Sequence, residues 1–189
     1  MVKKLAFLSI ACFGMLLCGG TACVEGDGPS KHLRIVLIRH GEKPDAGNNL
    51  SCKGLNRSLA LPGVLYPRFG RPDYTYVASI RVGSSADHAR MLETIVPFAV
   101  KYGLTISDKY DEDDVTGLAK DVLKKEGTVL IVWDHSRLES VARALGVVDN
   151  TLTWSSDDYD SIWVITFSKG VAQLQKQREG LTPAEACPF

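Results

Sequence analysis

The stretch Ile35-Val36-Leu37-Ile38-Arg39-His40-Gly41-Glu42-Lys43-Pro44 decides how this chain reads. Four consecutive branched apolar side chains form the pattern of a strand buried on both faces, as in a parallel sheet. The run stops at Arg39-His40-Gly41. Open α/β sheets bind ligands at the carboxyl ends of their strands. An arginine and a histidine are therefore delivered together to the place where such folds do chemistry. Arginine is a permanently charged planar fork suited to phosphate, and a neutral imidazole is a nucleophile near neutral pH. Gly41 allows an immediate turn and removes a side chain that would crowd a bound group. The competing reading is a plain strand end with a satisfied histidine. The residues further along decide between the two.

A second apolar strand, Thr128–Trp133, ends in Asp134-His135-Ser136 and so brings a second histidine to an equivalent strand end. Between the two strands lies Ser84-Ser85-Ala86-Asp87-His88-Ala89-Arg90, which opens a helix and places Arg90 near its positive end. Strands are predicted at Leu33–Ile38, Tyr74–Ile80, Thr105–Ser107, Thr128–Trp133 and Ile162–Phe167, the last of them followed by a tail from Gly170. Helices are predicted at Lys53–Leu61, stopped near Pro62, and at Asp87–Tyr102, Asp114–Lys125 and Arg137–Leu145. This alternation predicts an α/β fold in three α/β/α layers: a mostly parallel sheet with helices on both faces.

Residues 1–22 have the pattern of a signal peptide: Lys3 and Lys4, an apolar run from Leu5 to Leu17, then small residues. The run is shorter than the ~20 residues that span a bilayer. Residues 23–31 read as a tether and 32–189 as one domain. The expected location is outside the cytoplasm, in the periplasm or cell envelope, with Cys23 a candidate lipidation site and lipid anchor. Gly20-Thr21-Ala22-Cys23 resembles a lipoprotein cleavage site, although Gly20 stands where leucine is usual. Basic and acidic residues balance at 22 each, which gives no case for a nucleic-acid partner. Once the signal is removed, Cys52 and Cys187 are the cysteines left inside the domain. In an oxidising compartment they are a candidate disulfide, the competing reading being two free thiols.

Arg39-His40-Gly41, Leu50-Ser51-x-x-Gly54-x-x-Arg57, the series Ser85, Arg90 and Thr94, and His135 after its buried strand together resemble the histidine phosphatase, or phosphoglycerate mutase-like, superfamily. The sequence is most similar to small bacterial members reading Arg-His-Gly-Glu-Lys-Pro, which also carry Trp-x-His and Asp-Tyr-Asp, here Trp133-Asp134-His135 and Asp158-Tyr159-Asp160. The resemblance implies a phosphomonoesterase in which His40 attacks phosphorus while Arg39, Arg90 and His135 hold the phosphoryl oxygens. It implies a small phosphorylated substrate, no cofactor and no metal. Arg57 and Ser85 are expected to support phosphate binding. The general acid is open among Asp111, Glu42 and Asp134, with Asp113 beside Asp111 in the same acidic run, whose plain reading is a solvated helix start. His88 reads as a surface histidine rather than a metal ligand. Two other readings stand beside the esterase: a non-catalytic phosphate-binding module and a mutase-type phosphotransferase. The physiological substrate and the oligomeric state are not written in the sequence.

Overall fold

The computed structural model describes residues 28–80 and 88–189. The predicted signal peptide, most of the tether, Cys23, Ser85 and Asp87 lie outside them. The elements follow in the order β1 (Arg34–Arg39), α1 (Cys52–Phe69), β2 (Tyr74–Ala78), α2 (Ala89–Tyr102), β3 (Ile106–Tyr110), α3 (Val115–Val122), β4 (Thr128–Trp133), α4 (His135–Ala144), β5 (Ser161–Ser168) and β6 (Val171–Arg178). They build one mixed sheet in the order β3-β2-β4-β1-β5-β6. The first four positions are parallel, and β5 and β6 run antiparallel at one side. Right-handed crossovers put α1 and α2 on one face and α3 and α4 on the other, and each pair packs together.

The centre of the sheet explains itself. Ile35, Val36, Leu37 and Ile38 of β1 and Val129, Ile131, Val132 and Trp133 of β4 are buried, each worth roughly 1.5–3 kcal/mol for leaving water. The two strands pair in register from Arg34 with Thr128 to Arg39 with Trp133. The residues that follow, His40 and Asp134, therefore leave the sheet side by side. The His40 amide donates to the Trp133 carbonyl at 3.2 Å.

Three expectations are corrected. Helix α1 does not stop near Pro62; it runs through Pro62 and Pro67 to Phe69. Leu61, Pro62 and Leu65 are buried on its inner face, and that packing outweighs the helix cost of proline. The short strand expected at Thr105–Ser107 sits one residue later and extends to Tyr110. The supposed tail after Gly170 is strand β6, paired along its length with β5. A two-residue turn joins them, Lys169 and Gly170 both having positive φ, 52° and 76°, as a primed hairpin turn requires. Its alternating polar sequence faces solvent at the sheet edge, where a strong apolar pattern is not needed. Among the described residues no helix is long and apolar enough to cross a membrane.

Candidate active site

His40 is buried and held at both ring nitrogens. Nδ1 lies 2.7 Å from the Gly41 carbonyl and Nε2 lies 3.1 Å from Asp134 Oδ2. A carbonyl and a carboxylate only accept, so each contact is a hydrogen bond where the ring nitrogen it meets carries the hydrogen. Asp134 is the N-cap of α4 and accepts from the Ser136 amide at 2.9 Å. Burial alone would raise the Asp134 carboxyl, but hydrogen bonds from the His40 ring and the Ser136 amide overcome it and hold the group well below the usual carboxylate range. His135 is the first residue of α4, at the positive end where anions are favoured. Its Nδ1 lies 3.2 Å from Asp134 Oδ1, yet the contact is too poorly aligned to be a hydrogen bond, and this buried ring nitrogen has no partner. Burial, then the charge of Arg39, pushes the His135 imidazole down.

Arg39 is buried beside this group. One terminal nitrogen donates to the Ser156 carbonyl at 2.6 Å. Its Nε is buried without a partner among the described residues, a donor whose desolvation costs about 1–3 kcal/mol unless something accepts from it. The guanidinium carbon stands 3.7 Å from the centroid of the Tyr159 ring, and the same ring meets His40 edge-on at 6.2 Å. The loop before β5 thus forms one wall of the site. Asp158 fastens that loop by accepting from the Asp160 and Ser161 amides.

Arg57 was expected at the phosphate; its fork is directed elsewhere. Nε and one terminal nitrogen grip both oxygens of Glu42 at 2.9 and 2.8 Å, and the other terminal nitrogen makes a close ion pair with Glu179. Glu42, a candidate general acid, is thereby held in an ion pair with Arg57. Glu179 is buried, and its second oxygen lacks a partner. Burial pushes its carboxyl up to about 7, against the pull of Arg57. The Leu50-Ser51-x-x-Gly54-x-x-Arg57 segment is a scaffold. The Leu50 amide donates to Glu93, the Ser51 amide and hydroxyl both donate to the Glu42 carbonyl, and Ser51 caps α1. Gly41 serves this packing rather than a ligand. A Cβ there would meet the Gly54 carbonyl oxygen at 2.9 Å, and one on Gly54 would meet the Glu42 carbonyl oxygen at 2.2 Å. Thr94 completes the frame, accepting from the Gly41 amide at 2.8 Å and donating to the Arg90 carbonyl at 2.7 Å.

Arg39, His40, Asp134 and His135 are brought together. Arg90 stands in the first turn of α2, half-buried, with its guanidinium donating to the Gly47 carbonyl at 3.2 Å. Asp111 organises the turn before α3, its side chain accepting from the Asp113 amide. The acidic residue of that run whose charge is coupled to Asp134 is Glu112. Its carboxylate pairs with His88 Nε2 at 3.0 Å, and its carbonyl accepts from the Trp133 indole at 3.1 Å. Burial, then the negative charge of Asp134, raises the Glu112 carboxyl, opposed by His88. Sequence reasoning missed Glu112 and Tyr159; the flanking motifs were visible, but not which member of each turned inward. A groove of about 590 Å³ opens beside the cluster, lined by Glu42, Lys53, Tyr159 and Arg178 among others. None of the four clustered residues lines it. Cys52, at the start of α1, is joined to Cys187 by a disulfide, with Cα atoms 4.5 Å apart.

No protein-family model matches the chain, and no curated protein matches it. Solved structures do. A protein provisionally named phosphohistidine phosphatase SixA from Nakamurella multipartitia is 14% identical with a TM-score of 0.52, over 79% of this chain and 98% of that one. A protein given the same provisional name from Agrobacterium tumefaciens is 16% identical with a TM-score of 0.53, over 78% and 99%. A provisionally named alpha-ribazole-5'-P phosphatase from Escherichia coli is 13% identical with a TM-score of 0.54, over 83% and 98%. With its mixed six-stranded sheet flanked by four helices, the chain has the fold of the histidine phosphatase, or phosphoglycerate mutase-like, superfamily.

Proposed function

We propose that this protein is a phosphomonoesterase that works through a phosphohistidine on His40. The observation that carries the reading is the convergence of His40, Asp134, His135 and Arg39 at two in-register strand ends, with the Arg39 Nε buried and unpartnered. A phosphoryl oxygen is an acceptor of the kind that donor lacks. The likeness in fold to proteins carrying phosphatase names supports the same reading.

The geometry divides the work. The Gly41 carbonyl keeps the proton of His40 on Nδ1, which leaves Nε2 as the attacking atom. Asp134 Oδ2 orients the ring through its contact with Nε2, and the Nε2 proton passes to solvent as substrate enters. Nε2 forms a bond to phosphorus and the bond to the ester oxygen breaks. Arg39, His135 and Arg90 are assigned to the phosphoryl oxygens, because such transfers depend on positioning and charge more than on covalent help. Glu112 is assigned the proton for the leaving oxygen. Asp134 is pushed down and Glu112 up, so of the two carboxyls Asp134 stays ionised beside the ring and Glu112 is the one suited to carry a proton. Water then attacks phosphorus while its proton passes to the Glu112 carboxylate left by the first step, the Nε2 bond breaks, and phosphate leaves.

The reading extends to a small phosphorylated substrate and to export. The basic start, the apolar run from Leu5 to Leu17 and the small residues before Cys23 support export, as does a disulfide, which persists in oxidising compartments. In this reading Cys23 carries a lipid if the protein is anchored. The test is hydrolysis of p-nitrophenyl phosphate and a panel of sugar, serine and histidine phosphates with a chelator present. The expected result is turnover by the wild type and none by His40→Ala. A folded wild type inert across the whole panel overturns the reading.

A further inference from the structure

The geometry points to His40, Asp134 and His135 as a site that captures a single zinc-class divalent cation and shuts the enzyme by doing so. The capture stands on the side-chain arrangement alone; its inhibitory consequence rests on His40 being the nucleophile. Among the described residues these three side chains form the one group of its kind, each offering a ligand atom within 4.8 Å of the others. Zinc bonds of about 2.0–2.1 Å in a tetrahedron put ligand atoms roughly 3.3 Å apart. Ligand atoms already within 4.8 Å of one another need draw together by no more than about 1.5 Å to reach that spacing.

Three features suit a metal rather than a plain hydrogen-bonded cluster. His40 is already oriented by a bond from Nδ1 to the Gly41 carbonyl, the outer partner that metal-bound histidines have as a rule. His135 Nδ1 lies 3.2 Å from the Asp134 carboxylate, is buried and makes no hydrogen bond among the described residues, so a ligand atom is present without a protein partner there. Asp134 supplies the negative charge between the two rings. Two imidazoles and one carboxylate select zinc, nickel or copper over magnesium or calcium, which prefer oxygen alone. Arg39 and Lys43 repel a cation here, both acting on His135. Binding is accordingly weaker than at a structural zinc and reversible by a chelator.

The step balances without redox chemistry. The Nε2–H bond of His40 breaks, its proton passes to solvent, and Nε2 donates its lone pair to the metal. That lone pair is the one required for attack on phosphorus, so metal occupancy and catalysis exclude each other.

Calorimetric titration of the metal-free protein, disulfide intact, with Zn2+ tests the proposal. One ion per chain is expected, with Mg2+ silent. His135→Ala and Asp134→Asn, both verified as folded by thermal melting, are each expected to weaken binding at least ~10-fold, since even outer-shell changes cost about 10–100-fold. His88→Ala, outside the cluster, is expected to bind as the wild type does. Co2+ is expected to give tetrahedral absorption bands that His135→Ala loses. Added Zn2+ is expected to suppress p-nitrophenyl phosphate turnover, and a chelator to restore it. Absence of saturable binding, binding that survives in both cluster variants, or turnover that Zn2+ increases overturns the proposal. Binding that maps to the cluster in a protein with no phosphatase activity leaves the metal site standing and removes the functional reading instead.

Discussion

The Tyr159 ring covers the Arg39 guanidinium, with 3.7 Å between the ring centroid and Cζ. The arginine is thereby fixed on one face by an aromatic wall and on its edge by the Ser156 carbonyl. A desolvated cation–π contact is worth about 2 kcal/mol or more. Tyr159→Ala is expected to lower kcat/KM roughly 10-fold, while Tyr159→Phe, which keeps the ring, stays close to wild type. Steady-state kinetics on p-nitrophenyl phosphate check this. Equal damage from both variants shows that the hydroxyl, not the ring face, matters.

Glu112 as proton donor predicts an effect that depends on the leaving group. p-Nitrophenolate departs without a proton, whereas an alkyl alkoxide does not. Glu112→Gln is expected to lose about 10²-fold in kcat with an alkyl phosphate and little with p-nitrophenyl phosphate. A uniform loss across both substrates assigns Glu112 to holding His88 and the Trp133 end of β4 instead.

The unbroken apolar runs of β1 and β4 were legible because a strand buried on both faces needs nothing else, and their ends placed Arg39, His40, Asp134 and His135 without a structure. The carboxylate partners of Arg57 were not legible because an arginine's identity does not say whether its fork meets phosphate or carboxylate. The deciding partner, Glu179, lies 122 residues away, just past a polar edge strand with no strong pattern. Glu112 was hidden among four consecutive acids, and only the turn into α3 selects the one whose charge is coupled to Asp134. Tyr159 depends on the antiparallel return of β5, which strand alternation alone does not reveal.

Glu179 predicts a specific dependence of stability on pH. Its folded carboxyl is pushed up to about 7 from an ordinary 4.5. Between those values the folded state holds a proton that the unfolded chain has released. Its contribution to stability is therefore full below pH 4.5 and is lost as pH rises through 7. Denaturant titrations at pH 5 and pH 8 are expected to show a larger fall with rising pH in the wild type than in Glu179→Gln, which carries no titrating group there. Identical slopes for the two proteins contradict the account. Asp134, held low by His40 and Ser136, acts in the opposite sense, and its contribution is lost as pH falls through the acid range.

The Cys52–Cys187 bond closes a loop of 135 residues, which in the chain-entropy model is worth roughly 5 kcal/mol less any strain. It fastens the C-terminal segment to the start of α1, where Asn56 also donates to the Ala184 and Ala186 carbonyls. Cys187→Ser is expected to lower the denaturation midpoint markedly and to expose the C-terminal segment to proteolysis. Unchanged values for both show that the hydrogen bonds hold the segment by themselves.

The most direct measurement of the central claim is the trapping of the covalent intermediate. Wild-type protein, free of metal, is mixed with a phosphorus-labelled substrate and quenched in alkali within a turnover. One phosphoryl group is predicted on the peptide that contains His40, stable in alkali, lost in acid, and absent from His40→Ala. A label that survives acid, sits on another residue, or persists in His40→Ala contradicts the mechanism, as does steady turnover with no label at all.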